Sequence, residues 1–255
     1  MVYKILVFGD LPIASEVCDF IKRQDNCELV GVVIGNDHPN NNDPFELPIL
    51  QIYAQNKDIP IYTLNQITEK FPTGFFDLGI SARFSRILRK EHLTLFKVGV
   101  INFHGGLLPE YGGLYSANHA LLNGEKQSGG TIHWIDEGID TGKIIKRCDF
   151  QIDESDTVYS VFQKTQRSLL HGFISIFNKL LSDPNFREGI TTDSKNTSPR
   201  YYDKNSLKGL KLVNLHKLSS GSVSELNRIR AFDFPGYEPA YVLINNTKVY
   251  LRLNA

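Results

Sequence analysis

The sequence predicts a doubly wound α/β fold with a mostly parallel, Rossmann-like sheet. Short apolar runs rich in β-branched residues recur from Lys4 to Ile152, and helical patterns alternate with them through the first half of the chain. Two polar clusters stand directly after such runs, where open parallel sheets place their ligands. The first run, Lys4-Ile5-Leu6-Val7-Phe8-Gly9, precedes a segment that puts Ile13, Val17, Phe20 and Ile21 on one helical face. Leu29 to Ile34 is a second run, apolar without alternation, as a strand buried on both faces requires. Asn36 to Pro48, crowded with Asn, Asp and Pro, is a surface loop with little to offer a core, and mobility is expected there.

Further strands are expected at Ile59 to Tyr62, Phe76 to Ser81 and Val98 to Phe103, with a helix over Ser85 to Phe96 capped by Ser85. Tyr115 to Asn123 has a helical pattern stopped by Gly124, and Gly130 to Ile135 and Lys143 to Ile152 have strand patterns. Asp156 is placed to cap a long helix in which Val158, Phe162, Leu169, Phe173, Ile176 and Leu180 share one side, until Asp183-Pro184 ends it. Composition then turns to Thr, Asp, Ser and Asn. We therefore expect a main domain at 1–185, a linker at 186–200 and a small unit at 201–255 made of a helix, Ser222 to Phe232, and a hairpin turning at Asn245-Asn246.

The 255 residues are 41% hydrophobic, which excludes wholesale disorder, and 28 basic residues balance 28 acidic ones. A neutral chain has no net field to attract phosphate backbones or anionic lipid, so neither a nucleic acid nor a membrane is an expected partner. No apolar run approaches the ~20 residues that span a bilayer, and Met1-Val2-Tyr3-Lys4 leads straight into a strand pattern, so a cytoplasmic location is expected. Cys18, Cys27 and Cys148 have neither disulfide nor zinc spacing, and no metal site is expected.

The first polar cluster closes the run Val100-Ile101-Asn102-Phe103-His104 and continues Gly105-Gly106-Leu107-Leu108-Pro109. Alternation along a strand points Asn102 and His104 the same way, delivering an amide donor and a titratable imidazole to one place, with room for substrate at Gly105 and Gly106. Taken alone, the pair is read first as a satisfied turn at Asn102 and a hydrogen-bonded core histidine at His104. The second cluster, Asp136-Glu137-Gly138-Ile139-Asp140-Thr141-Gly142, follows Thr131-Ile132-His133-Trp134-Ile135. It is an acidic turn in water, or else the source of a carboxylate that fixes the tautomer of His104. His133 and Trp134, on opposite strand faces, are read as structural support and packing, and His119 as structural or solvated.

Asn102-x-His104, Leu107-Leu108-Pro109 and Asp136 to Gly142, with Asn123-Gly124-Glu125-Lys126 and Gly130-Thr131-Ile132-His133 between, resemble the N10-formyltetrahydrofolate-dependent formyltransferases. The resemblance covers most of residues 76 to 152. It implies that Asn102, His104 and Asp140 are catalytic. It further implies a pocket for N10-formyltetrahydrofolate, the co-substrate, from Ser81, Arg83 and Phe84 and from Ile135, Glu137, Gly138, Ile139 and Asp140, with no metal. Ser81-Ala82-Arg83-Phe84 and Arg230 to Tyr237 are most similar to the nucleotide-sugar N-formyltransferases. That likeness implies an acceptor amine on a dTDP- or GDP-linked amino-dideoxyhexose, in surface polysaccharide or O-antigen (lipopolysaccharide) biosynthesis. Gly105, Gly106, Tyr115 and Tyr237 are the acceptor-binding candidates, and a homodimer through the C-terminal unit is expected. Two alternatives stand beside this reading: a formyltetrahydrofolate hydrolase and an enzyme like the methionyl-tRNA formyltransferases. One departure is visible: Pro109-Glu110-Tyr111-Gly112-Gly113 has glycine where relatives often carry arginine.

Overall fold

The computed structural model describes residues 2–36, 40–183, 186–189 and 199–253. Seven strands form one sheet: β1 (Tyr3–Gly9), β2 (Cys27–Val33), β3 (Ile61–Tyr62), β4 (Phe76–Ala82), β5 (Phe96–His104), β7 (Gln127–Trp134) and β8 (Ile144–Gln151). Their order across it is β3-β2-β1-β4-β5-β7-β8. All pairings from β3 to β5 are parallel, and β7 joins β5 antiparallel. The chain builds the sheet outward from β1 to β3, then returns to the other side of β1 to add β4 and β5. That reversal opens a crevice at the carboxyl ends of β1 and β4, the usual ligand position in such sheets. The expected fold class is therefore the observed one.

Parallel neighbours need crossover segments. These are supplied by α1 (Pro12–Lys22), α2 (Leu50–Asn56), α3 (Leu64–Lys70) and the short α4 (Lys90–Leu93). The α1 helix buries Ile13, Val17 and Ile21 with no exposure, as its spacing requires. Thr63 and Gln66 close a reciprocal capping box at the start of α3.

The helix expected from Ser85 does not form. Only Lys90–Leu93 is helical, because the preceding loop is pinned instead: Ser85 donates its backbone N–H to Asp10 Oδ2 (2.9 Å), and Arg86 Nε donates to the Gly35 carbonyl (2.9 Å). Asp156 also acts differently from a simple cap. It accepts from Asp153 N–H and Ser160 Oγ, while Thr157 Oγ1 takes the Ser160 N–H at the start of α6 (Val158–Ser182).

The chain forms two compact units that interleave along the sequence. The first comprises Met1–His104, Thr131–Arg147 and Leu169–Thr192, and the second Gly105–Gly130, Cys148–Ser168 and Asp193–Ala255. One core of the first unit gathers Leu6, Phe8, Val33, Phe76, Phe96 and Val100. Composition suggested a linear order with a linker at 186–200. In the structure residues 186–188 form a single 3-10 turn, and 190–198 lie outside the described residues.

The second unit contains α5 (Ser116–Leu122), α7 (Leu215–Ser219), α8 (Val223–Phe232) and two small sheets. One sheet pairs β6 (Gly112–Gly113) with β9 (Tyr201–Tyr202), the other β10 (Ala240–Ile244) with β11 (Thr247–Leu251). The C-terminal helix and hairpin share a core with the rest of this unit, where Val213, Ile229, Phe232 and Val242 cluster with Leu121, Val158 and Val161. A lone helix and hairpin are too small to be stable in water, and this packing removes the difficulty. Asn245 and Asn246 both take positive φ, as a two-residue hairpin turn between right-twisted strands demands.

Candidate active site

Within the first unit, β5 ends by placing Asn102 and His104 on one face, and the turn after β7 brings Asp140 to them. Asp140 Oδ2 lies 3.4 Å from His104 Nδ1, with side-chain exposures of 13% and 7%, so the pair is largely withdrawn from water. A carboxylate on Nδ1 holds that edge of the ring as the N–H donor and stabilises the imidazolium when a proton arrives at Nε2. The turn that carries Asp140 is organised by Asp136, whose Oδ1 accepts from Gly138 N–H (3.0 Å) and Thr141 Oγ1 (2.6 Å). Asp140 itself has a left-handed backbone, φ 56°.

Sequence reasoning set His133 aside as structural support, yet it stands in the site. Its Nε2 is 3.2 Å from Asn102 Nδ2 and 3.7 Å from Asp140 Oδ1, and its Nδ1 is 2.8 Å from the Trp134 carbonyl. Burial pushes the His133 imidazole below its ordinary value, and the neighbouring His104 adds to this. The Trp134 carbonyl and Asp140 oppose it. In the second unit, burial lowers His119 as well. In both places the unfolded chain takes up a proton near pH 6.5 that the fold resists, so these groups weaken the fold as pH drops through about 6.5. Thermal melts at pH 7.5 and 5.5 should therefore show a smaller acid-induced loss in His119→Gln than in the wild type. An equal or larger loss in the variant would contradict this.

The other expected positions fall into distinct environments. Ser81 is buried and donates to Asn102 Oδ1 at 3.0 Å. Arg83 is exposed with a left-handed backbone (φ 59°), and its charge lies close enough to draw Asp43 downward against the stronger upward push of burial. Phe84 packs against Phe8, with ring centroids 5.5 Å apart, and Ile135 packs on the same core while its N–H reaches the Val100 carbonyl. Glu137 and Lys90 form an exposed ion pair at 3.4 Å, so the 84–90 loop and the 136–142 turn border one another. Each exposes an isoleucine, Ile87 at 70% and Ile139 at 56%.

In the second unit, a side chain at Gly105 would meet open space, whereas one at Gly106 would strike the Tyr111 carbonyl and Ser116. Gly106 is thus needed for close packing, a role its sequence context does not reveal. Tyr115, at φ 62°, begins α5 with 42% exposure, and Tyr237 is 54% exposed with its ring edge against Phe234. His119 stacks on Tyr202 with centroids 3.7 Å apart.

Asp10 is a residue the sequence reading passed over. Its Oδ1 accepts from Gly35 and Asn36 N–H and its Oδ2 from Ser85 N–H, tying together the loops after β2 and β4 at the carboxyl end of β1. Asp43 Oδ2 meanwhile accepts from Ile13 N–H at the start of α1. Carboxylates thus hold the turn and helix start where a phosphate loop would offer its donors. Among the described residues, no group of acids, histidines and cysteines is arranged to hold a metal ion, and no helix is long and apolar enough to cross a membrane.

A family model described as formyl transferase matches residues 4–176. The methionyl-tRNA formyltransferase of Clostridioides difficile is 32% identical over 166 residues, covering 62% of this chain and 53% of that protein. The chain thus spans about half the length of that relative. Among solved structures, WlaRD, a sugar 3N-formyltransferase in the presence of dTDP and 5-N-formyl-THF, superposes with a TM-score of 0.74 at 27% identity. That likeness covers 98% of this chain and 85% of WlaRD. The N-formyltransferase from Helicobacter canadensis, in complex with folinic acid and dTDP-3-aminofucose, gives a TM-score of 0.74 at 26% identity, over 98% of this chain and 86% of that one. With residues 4–176 of 255 matched and the fold shared with these solved structures, the chain belongs to the formyl transferase family.

Proposed function

We propose that this chain is an N-formyltransferase that moves a formyl group from N10-formyltetrahydrofolate to the amine of a nucleotide-linked amino-dideoxyhexose. The observation that carries the chemistry is the convergence of Asn102, His104 and Asp140 at the end of β5. N10-formyltetrahydrofolate supplies an activated formyl carbon, which the acceptor amine attacks. Negative charge then develops on the formyl oxygen, and the Asn102 amide and the His104 imidazolium donate to it. Asp140 stabilises that imidazolium and takes the proton the amine loses as the new C–N bond forms; when the tetrahedral intermediate collapses and the bond from the formyl carbon to N10 breaks, that proton passes to N10 and tetrahydrofolate leaves. The two loops that expose Ile87 and Ile139 would hold the folate ring, with Ser81, Arg83, Phe84 and Ile135 to Asp140 around it.

The likeness to sugar N-formyltransferases over nearly the whole chain supports a nucleotide-linked sugar acceptor. The reading we put forward extends this to a dTDP- or GDP-linked sugar used in cytoplasmic surface-polysaccharide or O-antigen synthesis. Gly105, Gly106, Tyr115 and Tyr237 would recognise it. The exposed apolar side chains of the hairpin, Leu243, Ile244, Val249 and Tyr250, support a homodimer through the 201–255 segment. A second reading, formyl transfer to methionyl-tRNA, is favoured by the curated relatives, and the zero net charge weighs against it.

The test is a panel in which N10-formyltetrahydrofolate meets dTDP- and GDP-linked amino sugars, methionyl-tRNA, or no acceptor, with products read by mass spectrometry. We expect formylated amino sugar. Formylmethionyl-tRNA alone would establish the second reading, and formate without acceptor would mark a hydrolase. In the absence of any sugar, 5-formyltetrahydrofolate should stabilise the fold by mass action, by about 2.7 kcal/mol at a hundred times its Kd, and so raise the melting temperature. No shift at high ligand concentration would remove the folate site. A full-length monomer by light scattering would remove the dimer.

A further inference from the structure

Ser81 of β4, Asn102 of β5 and His133 of β7 lie in register across three adjacent strands. Their side chains meet in a row: Ser81 Oγ to Asn102 Oδ1 at 3.0 Å, and Asn102 Nδ2 to His133 Nε2 at 3.2 Å. The row ends at the Trp134 carbonyl, 2.8 Å from His133 Nδ1. A carbonyl only accepts, so His133 Nδ1 must carry hydrogen. In the neutral ring Nε2 is then an acceptor. Burial favours the neutral ring. An acceptor at Nε2 requires the Asn102 amide to present Nδ2, which turns Oδ1 toward Ser81, and Ser81 must donate. Every hydrogen bond in the row therefore has one direction.

We propose that Ser81 is a positioning residue whose hydroxyl, with His133 at the other end, locks the Asn102 amide with its nitrogen toward the reaction. One Nδ2 hydrogen serves His133 and the other is aimed at the formyl oxygen. A flipped amide would set its carbonyl oxygen against the lone pair of His133 and offer the developing oxyanion a repulsive oxygen in place of a donor. This gives Ser81 a task other than contact with the folate. The assignment rests on the formyl-transfer reading for its kinetic consequence, while the direction of the hydrogen bonds stands on the resting protein.

Ser81→Ala removes the donor and shortens the side chain without adding bulk. Turnover should fall roughly tenfold, the kinetic counterpart of losing one neutral hydrogen bond, while KM and Kd for the folate stay within about twofold. Ser81→Thr, which keeps the hydroxyl, should recover most of the lost turnover. A raised folate KM and Kd with intact turnover would overturn the proposal in favour of direct folate contact, and unchanged kinetics in Ser81→Ala would overturn it outright. If the wild type formylates nothing in the acceptor panel, the functional reading fails and the row is decided by nitrogen-15 NMR of the resting protein at about pH 7.5, above the ordinary imidazole range. There His133 should show a protonated Nδ1 and an unprotonated Nε2, and Ser81→Ala should shift the Asn102 side-chain amide resonances. The opposite tautomer, an imidazolium, or unmoved Asn102 resonances would overturn the row itself.

Discussion

Replacing His104 by alanine is expected to lower turnover by about 10²–10³-fold, the usual cost of removing one donor to a developing oxyanion. The loss should appear in kcat and kcat/KM alike, because the interaction matters only when charge develops. His104 sits at the last position of β5, and its removal leaves the strand pairing of Ser81 with Asn102 and of Ala82 with Phe103 in place. Circular dichroism should therefore remain native. Asp140→Asn should also lose about 10²-fold, since an amide holds the ring edge but cannot balance the imidazolium. Turnover near normal in folded His104→Ala would end the assignment of His104 as the donor.

Most of the fold was legible because parallel strands announce themselves. The first strand is apolar on both faces rather than alternating, and its Ile5, Leu6, Val7 and Phe8 are all fully buried. The loop after β4 was not legible. Its helical pattern at Ser85 lost to a carboxylate 75 positions earlier in the chain, and no local rule sees Asp10 capturing the Ser85 N–H. The interleaving of the two units is equally non-local, since it depends on Leu121, Val158 and Val161 sharing a core with the C-terminal helix.

In the site, alternation was enough to align Asn102 with His104. The same alternation correctly put His133 and Trp134 on opposite faces of β7, but not which face looks into the site. That needs the register of β7 against β5, where Asn102 is opposite His133, and an antiparallel register cannot be read from strand composition. Ser81 is a parallel case. The family resemblance assigned it to folate, and only its pairing opposite Asn102 reveals a side-chain partner in the protein.

Gly142→Ala is expected to cost nearly as much turnover as losing Asp140, about 10²-fold, although position 142 carries no chemical group. A Cβ there would stand 1.8 Å from the Trp134 carbonyl oxygen and 2.7 Å from its carbon. Both are backbone atoms beside a ladder bond, Trp134 N–H to the Lys143 carbonyl at 3.0 Å, so the obstruction cannot swing away as a flexible side chain would. The turn must move, and it carries Asp140 two residues upstream. That carbonyl is also the acceptor that fixes the His133 tautomer, so the methyl group that moves Asp140 also presses on the end of the Asn102 row. Overpacking of this kind adds a stability loss of about 1–3 kcal/mol, visible as a lower melting temperature. The decisive measurement is the double variant with Asp140→Asn. If Gly142 acts by placing Asp140, the combined loss in kcat should fall well short of the product of the single losses, because the second change removes what the first has already displaced. Fully multiplicative losses would mean that Gly142 acts elsewhere, and normal turnover in Gly142→Ala would show that the turn adapts without moving the carboxylate.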